Sequence, residues 1–241
     1  MTLLEWFING TIPVAGSTLR VPEVVGNVFG LASALLGMKR FMWAWPVGLV
    51  GNVVLFFVYT SGEVIDLDGD KLWGQALRQV FFASVSLYGW WRWSQERRGG
   101  GASDGGAITV RWATWRERAL LAAVGVVGYL AAVQVLGLIG SWNPTTEAWI
   151  VAGSMLATWG MARGWVEFWL VWLLVDVVGV WSLWSSPYDV QATIAMYLFY
   201  AFFVVVGFFT WWRAARTHEA ARHAAHVAVA EPAGIVEEVQ A

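Results

Sequence analysis

The chain has 241 residues, of which 58% are apolar, 16% aromatic and only 13% charged, a balance that belongs to membrane proteins and not to soluble domains. A net charge of −2 argues against nucleic acid as a partner, and the absence of cysteine removes disulfides, thiolate catalysis and cysteine-ligated metals. The first twenty residues lack the basic stretch and long apolar run of a cleaved signal peptide, so none is expected.

After this N-terminal segment, residues 1–20, apolar runs fall at 21–38, 41–59, 72–91, 119–139, 148–162, 165–184 and 190–212. Most match the ~17 to 25 residues that a membrane-spanning helix needs, and the short fifth run can borrow residues from either side. The prediction is an all-α integral membrane protein with seven transmembrane helices. Glu23 opens the first run, as a helix N-terminal acid or an outer gate. The second contains Trp45 and Asn52, seven residues apart and so about two turns along one helix face. The third carries Gln75, Arg78 and Gln79: Gln79 reads as a cavity wall, and Arg78 as a side chain that snorkels outward. Residues 99–107 (GGGASDGGA) read as a flexible Gly-rich linker leading to the fourth run, so that 99–147 form linker and fourth helix.

The sixth run repeats the pattern of the second. Trp169 and Asp176 are again seven residues apart, 124 residues after Trp45 and Asn52, and Trp172 lies one turn before Asp176. An ionised carboxylate at that depth costs several kcal/mol unless it faces a cavity or a partner, so Asp176 is the sharpest candidate. Two indoles on its face make a stacking wall beside a hydrogen-bonding group. Glu167, on the opposite face and four residues from Arg163, reads as half of an interfacial ion pair. The repeat divides the chain into triplets, 21–98 and 148–213, around the unpaired fourth helix, a 3+1+3 parallel arrangement. Twelve of the fifteen basic residues then fall on one side, placing the N-terminus outside and the C-terminus, with a tail at 214–241, in the cytoplasm. The tail reads as a short helical extension fading into disorder, and its histidines, His218, His223 and His226, give a weak metal pattern.

Enzyme classes lose their motifs: there is no HExxH helix, no GxSxG elbow and no second deep acid for a membrane aspartyl protease. No ATP-binding loop is present, and no cofactor is called for. The sequence at 21–52 (VPEVVGNVFGLASALLGMKRFMWAWPVGLVGN), GQALRQVFFASVSLYGWWRW and MARGWVEFWLVWLLVD resembles the PnuC family of bacterial vitamin transporters across nearly all of residues 21–213. The resemblance implies a SWEET-like fold in the bacterial plasma membrane, a homotrimer with the lipid bilayer as its surroundings, and facilitated diffusion of a small vitamin. It also implies that the WxxxN motif of the sixth span binds substrate; here the motif runs from Trp172 to Asp176 and ends in Asp. Trp45 and Tyr88, the latter in the YGW end of the third span, complete the binding set of Trp172, Asp176, Asn52, Trp169 and Gln79. The Asp ending, with WAWPVGLVGN, looks more like the actinobacterial riboflavin-transporting branch, the RibM or PnuX type. A carboxylate could accept hydrogen bonds from ribityl hydroxyls or a flavin NH, or equally pair with the nicotinamide riboside cation. Riboflavin is favoured; nicotinamide riboside or thiamine on the same fold is the nearer alternative, and a non-transporting receptor or structural protein the more distant one.

Overall fold

The computed structural model describes residues 10–14, 17–60, 73–102, 104–138, 143–184 and 191–230. Within them a short antiparallel hairpin, β1 (Thr11–Val14) with β2 (Ser17–Arg20), precedes seven helices. These are α1 (Val21–Met38), α2 (Ala44–Thr60), α3 (Trp73–Arg98), α4 (Trp115–Leu138), α5 (Pro144–Arg163), α6 (Phe168–Trp184) and α7 (Gln191–Ala230). The fifth run gains residues at its start because Asn143 caps it, accepting from the Thr146 amide at 3.3 Å, and Pro144 supplies a preset first-turn dihedral. The extension beyond the last span is longer than expected: α7 runs for 40 residues, to Ala230. The acidic loop from Glu63 to Asp70 and the side chain of Gln75 lie outside the described residues.

Helices α1 and α5 end in the same way. Arg40 and Gly164, 124 residues apart, take left-handed φ values of 57° and 74°. The Arg40 and Phe41 amides bond the Gly37 and Leu36 carbonyls at 2.9 Å each, and the Gly164 and Trp165 amides bond Met161 and Gly160 at 3.0 Å each. This pattern closes a helix through a residue that is usually glycine. Arginine in that conformation costs roughly 1–2 kcal/mol, and its side chain is put to use below.

Packing follows chain order within each triplet, α1 on α2 on α3 and α5 on α6 on α7. Contacts of α3 with α5 and of α1 with α7 join these two groups of helices. The ring of Trp45 lies on Gly89, where an added Cβ would stand 2.5 Å from it, and the ring of Trp169 lies on Gly207 in the same way. Trp45 meets Trp93 edge-on at 5.1 Å, Trp169 meets Trp211 at 6.2 Å, and Trp93 and Trp211 meet each other at 6.2 Å. Helix α4 leans on α5 and buries none of its residues, while Leu120, Val124, Val127 and Leu130 stand exposed. At 24 residues and apolar all round, it has the length and surface of a helix immersed in hydrocarbon.

The Gly-rich segment is not the loose linker its composition suggests. Gly100, Gly101 and Gly105 take positive φ, which turns the chain back so that Ile108 and Val110 become fully buried beside Trp93, Phe168 and Trp211. The resulting strap bonds the ends of both α1 and α5: the Ala107 amide donates to the Arg40 carbonyl and the Arg111 amide to the Gly164 carbonyl, each at 3.0 Å. Asp104 accepts two bonds from the Arg40 guanidinium at 2.7 and 2.9 Å and one from the Gly106 amide at 3.3 Å. Burial pushes the Asp104 carboxyl up. The hydrogen bonds and charge of Arg40, helped by Gly106 and His218, outweigh that and hold it at about 2, below the usual 3.8. His218 is buried, with Nε2 3.4 Å from Asp104 and Nδ1 3.2 Å from the Val110 amide, so its ring is packed into the strap. Glu167 does form an ion pair, but with Arg118 at 2.6 Å, while Arg163 turns to Glu117 at 3.4 Å. The reason is the strap, whose Ala113 amide also donates to Glu167 at 3.0 Å and holds it beside Arg118.

Candidate functional site

A cavity of about 370 Å³ is lined by residues of α1, α2, α3, α5, α6 and α7. Asn27 and Met38 both line it, eleven residues apart on α1, so it runs roughly 16 Å along that helix at 1.5 Å per residue. Its volume falls in the ~300–1,000 Å³ range of small-molecule sites. Five of the expected residues meet there: Asn52 from α2, Gln79 from α3, and Trp169, Trp172 and Asp176 from α6.

Asp176 is 5% exposed, and its Oδ2 has no hydrogen-bond partner among the described residues. Buried acceptors are rarely left so, because an unmet one forfeits its lost hydration. Trp169 is similarly buried, with its indole N–H unpartnered among the described residues, and Trp172, one turn before Asp176, is half-buried on the same wall. Asn52 is steadied by donating to the Ser86 hydroxyl at 3.5 Å, a contact between α2 and α3 that leaves its side-chain carbonyl available for a ligand. Gln79 is 3% exposed and adds an amide to the opposite wall. The site therefore combines two flat apolar faces with three groups able to bond a polar ring edge or hydroxyls.

Two of the expected residues are placed elsewhere. Trp45 packs onto Gly89 and Trp93 in the core, because the left-handed turn at Arg40 and the glycine opposite leave it a closed seat. Tyr88 stacks face to face on Trp159, ring centres 4.9 Å apart and planes at 8°, on the contact between α3 and α5. In return the structure adds Asn27, Tyr59, Ser154 and Tyr200 to the cavity. Of these, Ser154 is a buried polar residue within an apolar helix, the same signal that singled out Asn52, and it could have been found. Arg78 also belongs to the lining, with its guanidinium hydrogen-bonded to Tyr59, one residue from the end of α2; the acidic loop toward which it was expected to turn lies outside the described residues.

The family model described as nicotinamide mononucleotide transporter matches residues 20–213. The riboflavin/roseoflavin transporter RibM of Streptomyces davaonensis is 35% identical over 196 residues, covering 80% of this chain and 85% of that protein. The nicotinamide riboside transporter PnuC of Escherichia coli is 24% identical over 194 residues, covering 70% of this chain and 76% of its own. The crystal structure of the vitamin B3 transporter PnuC matches with a TM-score of 0.61 at 21% identity, over 82% of this chain and 83% of that one, so the fold is shared. These relatives are transporters and not enzymes. With most of its length matched by the family model, the chain belongs to the nicotinamide mononucleotide transporter family, the PnuC family.

Proposed function

We propose that this chain is a multi-pass transporter of the bacterial plasma membrane that carries riboflavin by facilitated diffusion. The observation that carries this reading is the unpartnered Asp176 oxygen on the wall of an elongated cavity, flanked by Trp169 and Trp172 and faced by Asn52 and Gln79. The indoles would stack the isoalloxazine, while Asp176, Asn52 and Gln79 would bond its polar edge and ribityl chain. A three-ring ligand with a five-carbon tail suits a cavity roughly 16 Å long better than a compact vitamin does. The likeness to a riboflavin/roseoflavin transporter supports the same choice. Accumulation would follow from phosphorylation by a cytosolic kinase, since the charged product no longer suits the pathway.

The architecture we infer is two parallel three-helix repeats, 21–98 and 148–213, around the fourth helix, in a SWEET-like 3+1+3 order. The matched left-handed ends at Arg40 and Gly164 support it, as do the matched ring-on-glycine contacts of Trp45 and Trp169. The N-terminus is outside and the C-terminus cytoplasmic by the distribution of basic residues, and the assembly is a homotrimer by family resemblance.

Uptake of labelled vitamins into vesicles holding the purified protein tests the reading. Riboflavin should equilibrate without ATP and with little response to an uncoupler. A steady internal excess that the uncoupler abolishes would replace diffusion by proton coupling. The second reading, nicotinamide riboside, is favoured by the carboxylate itself, which could pair with that cation; uptake of nicotinamide riboside in place of riboflavin would establish it.

A further inference from the structure

The glycines of α1 and α2 differ in what surrounds them. A Cβ built on Gly26 would stand 2.6 Å from the Leu55 side chain, one on Gly48 2.7 Å from the Ser33 hydroxyl, and one on Gly51 2.9 Å from the Gly26 carbonyl oxygen. Each of these is glycine because helices meet there. Gly30 has no such reason: beyond its own stretch of helix, its Cβ would meet no atom of the described residues within 4 Å. Glycine is nonetheless a poor choice for the interior of a helix such as α1. The open space is the cavity, which Gly30 lines. A Cβ on Gly51 would stand 3.3 Å from the Gly30 amide nitrogen, so Gly30 lies beside the stretch of α2 that carries Asn52.

Two carboxamides flank this space. Asn52 lines the cavity from α2, and Asn27 lines it from α1, three residues before Gly30 and so on the same helix face. Each commits an amide hydrogen locally, Asn27 to the Glu23 carbonyl at 2.9 Å and Asn52 to the Ser86 hydroxyl at 3.5 Å. Both keep a side-chain carbonyl oxygen free to accept from a ligand hydroxyl. We propose that Asn27, Gly30 and Asn52 form a polyol subsite that seats the hydroxylated chain of the ligand, with Gly30 the specificity-determining residue that leaves it room. The proposal rests on the riboflavin reading and deepens it, by dividing the ligand between a ring wall of Trp169 and Trp172 on α6 and a hydroxyl-binding strip on α1 and α2.

The test compares the binding of riboflavin and of lumiflavin, the same three rings with a methyl group in place of the ribityl chain, to the purified full chain. The wild type should bind riboflavin about tenfold more tightly, the worth of one or two hydrogen bonds to hydroxyls. Gly30→Leu should weaken riboflavin by about tenfold and lumiflavin by less than about threefold, and Asn27→Leu should act in the same direction. Gly30→Ala should leave the unfolding midpoint in detergent unchanged or raised, whereas Gly51→Ala should lower it. A lowered midpoint in Gly30→Ala would assign this glycine to packing and overturn the proposal. A wild type that binds lumiflavin as tightly as riboflavin overturns it whether or not any variant folds. So does a folded Gly30→Leu protein that keeps its affinity for riboflavin, or that loses both flavins alike. If neither flavin binds the wild type, the riboflavin reading fails by itself. The subsite is then read from nicotinamide riboside against nicotinamide, the same ring without its ribose, and equal affinities for that pair would overturn it too.

Discussion

Trp172 and Asp176 stand on consecutive turns of α6 and support separate tests. Loss of one stacked aromatic costs ~1–3 kcal/mol by analogy with base stacking, so Trp172→Ala should weaken riboflavin binding tenfold to hundredfold while leaving the protein in the membrane. Asp176→Asn keeps the size but replaces an all-acceptor carboxylate with an amide, and should lower riboflavin uptake in vesicles. A different kind of residue is tested by Gly89→Ala. The new methyl would meet the ring of Trp45 at 2.5 Å, and because that ring is wedged against Trp93 it cannot simply turn away. Overpacking of this kind costs ~1–3 kcal/mol, and a lowered unfolding midpoint in detergent would report it. Asn52, Gln79 and Asp176 were legible in the sequence because a polar group in an apolar run stands out. Tyr59 was not, because it sits one residue from the end of α2, where polar residues are ordinary; Asn27 is as deep in α1 as Gln79 is in α3 and carried the same signal. Trp45 looked like a site residue because its spacing copies that of Trp169, yet spacing along one helix does not reveal which neighbour covers the ring.

At the level of elements, the seven helices could be read from the lengths of the apolar runs, whereas the strap could not. Glycines at 100, 101 and 105 signal positive φ as much as mobility, and composition alone does not distinguish a loose tether from a tight reversal. The decisive partners, Arg40 and His218, are 64 and more than 100 residues away in sequence from the groups they bind. The strap has a definite acid response. Because the folded state holds Asp104 at about 2, below its ordinary 3.8, its pairing with Arg40 stabilises the protein fully above about pH 4. That contribution disappears as pH falls from about 4 towards 2. The gap in unfolding midpoint between wild type and Asp104→Asn should therefore be constant near neutrality and shrink across this window. A gap that persists at pH 2 would assign the effect of the substitution to something other than the charge.

For the whole molecule, α1–α3 meet α5–α7 through α3 against α5, α1 against α7 and the Trp93–Trp211 contact of α3 with α7, and the strap bonds the ends of α1 and α5. The proposed orientation puts these ends on the cytoplasmic side. A reporter fused after Ala241 should then be active only if it is of the kind that folds in the cytoplasm, and labelling of the tail from outside intact cells would reverse the threading. The aromatic core has an optical consequence. Trp169, on the cavity wall, continues through Trp211 and Trp93 to Trp45, with successive ring centres 5.1 to 6.2 Å apart. An isoalloxazine absorbs where indoles emit, and resonance transfer operates easily over such short separations. A flavin lodged at the head of this chain should drain the emission of buried indoles it never touches. Titration should thus quench far more of the protein's fluorescence than one or two contacting tryptophans could supply, and Trp172→Ala should shift the midpoint of that curve while leaving most of its depth.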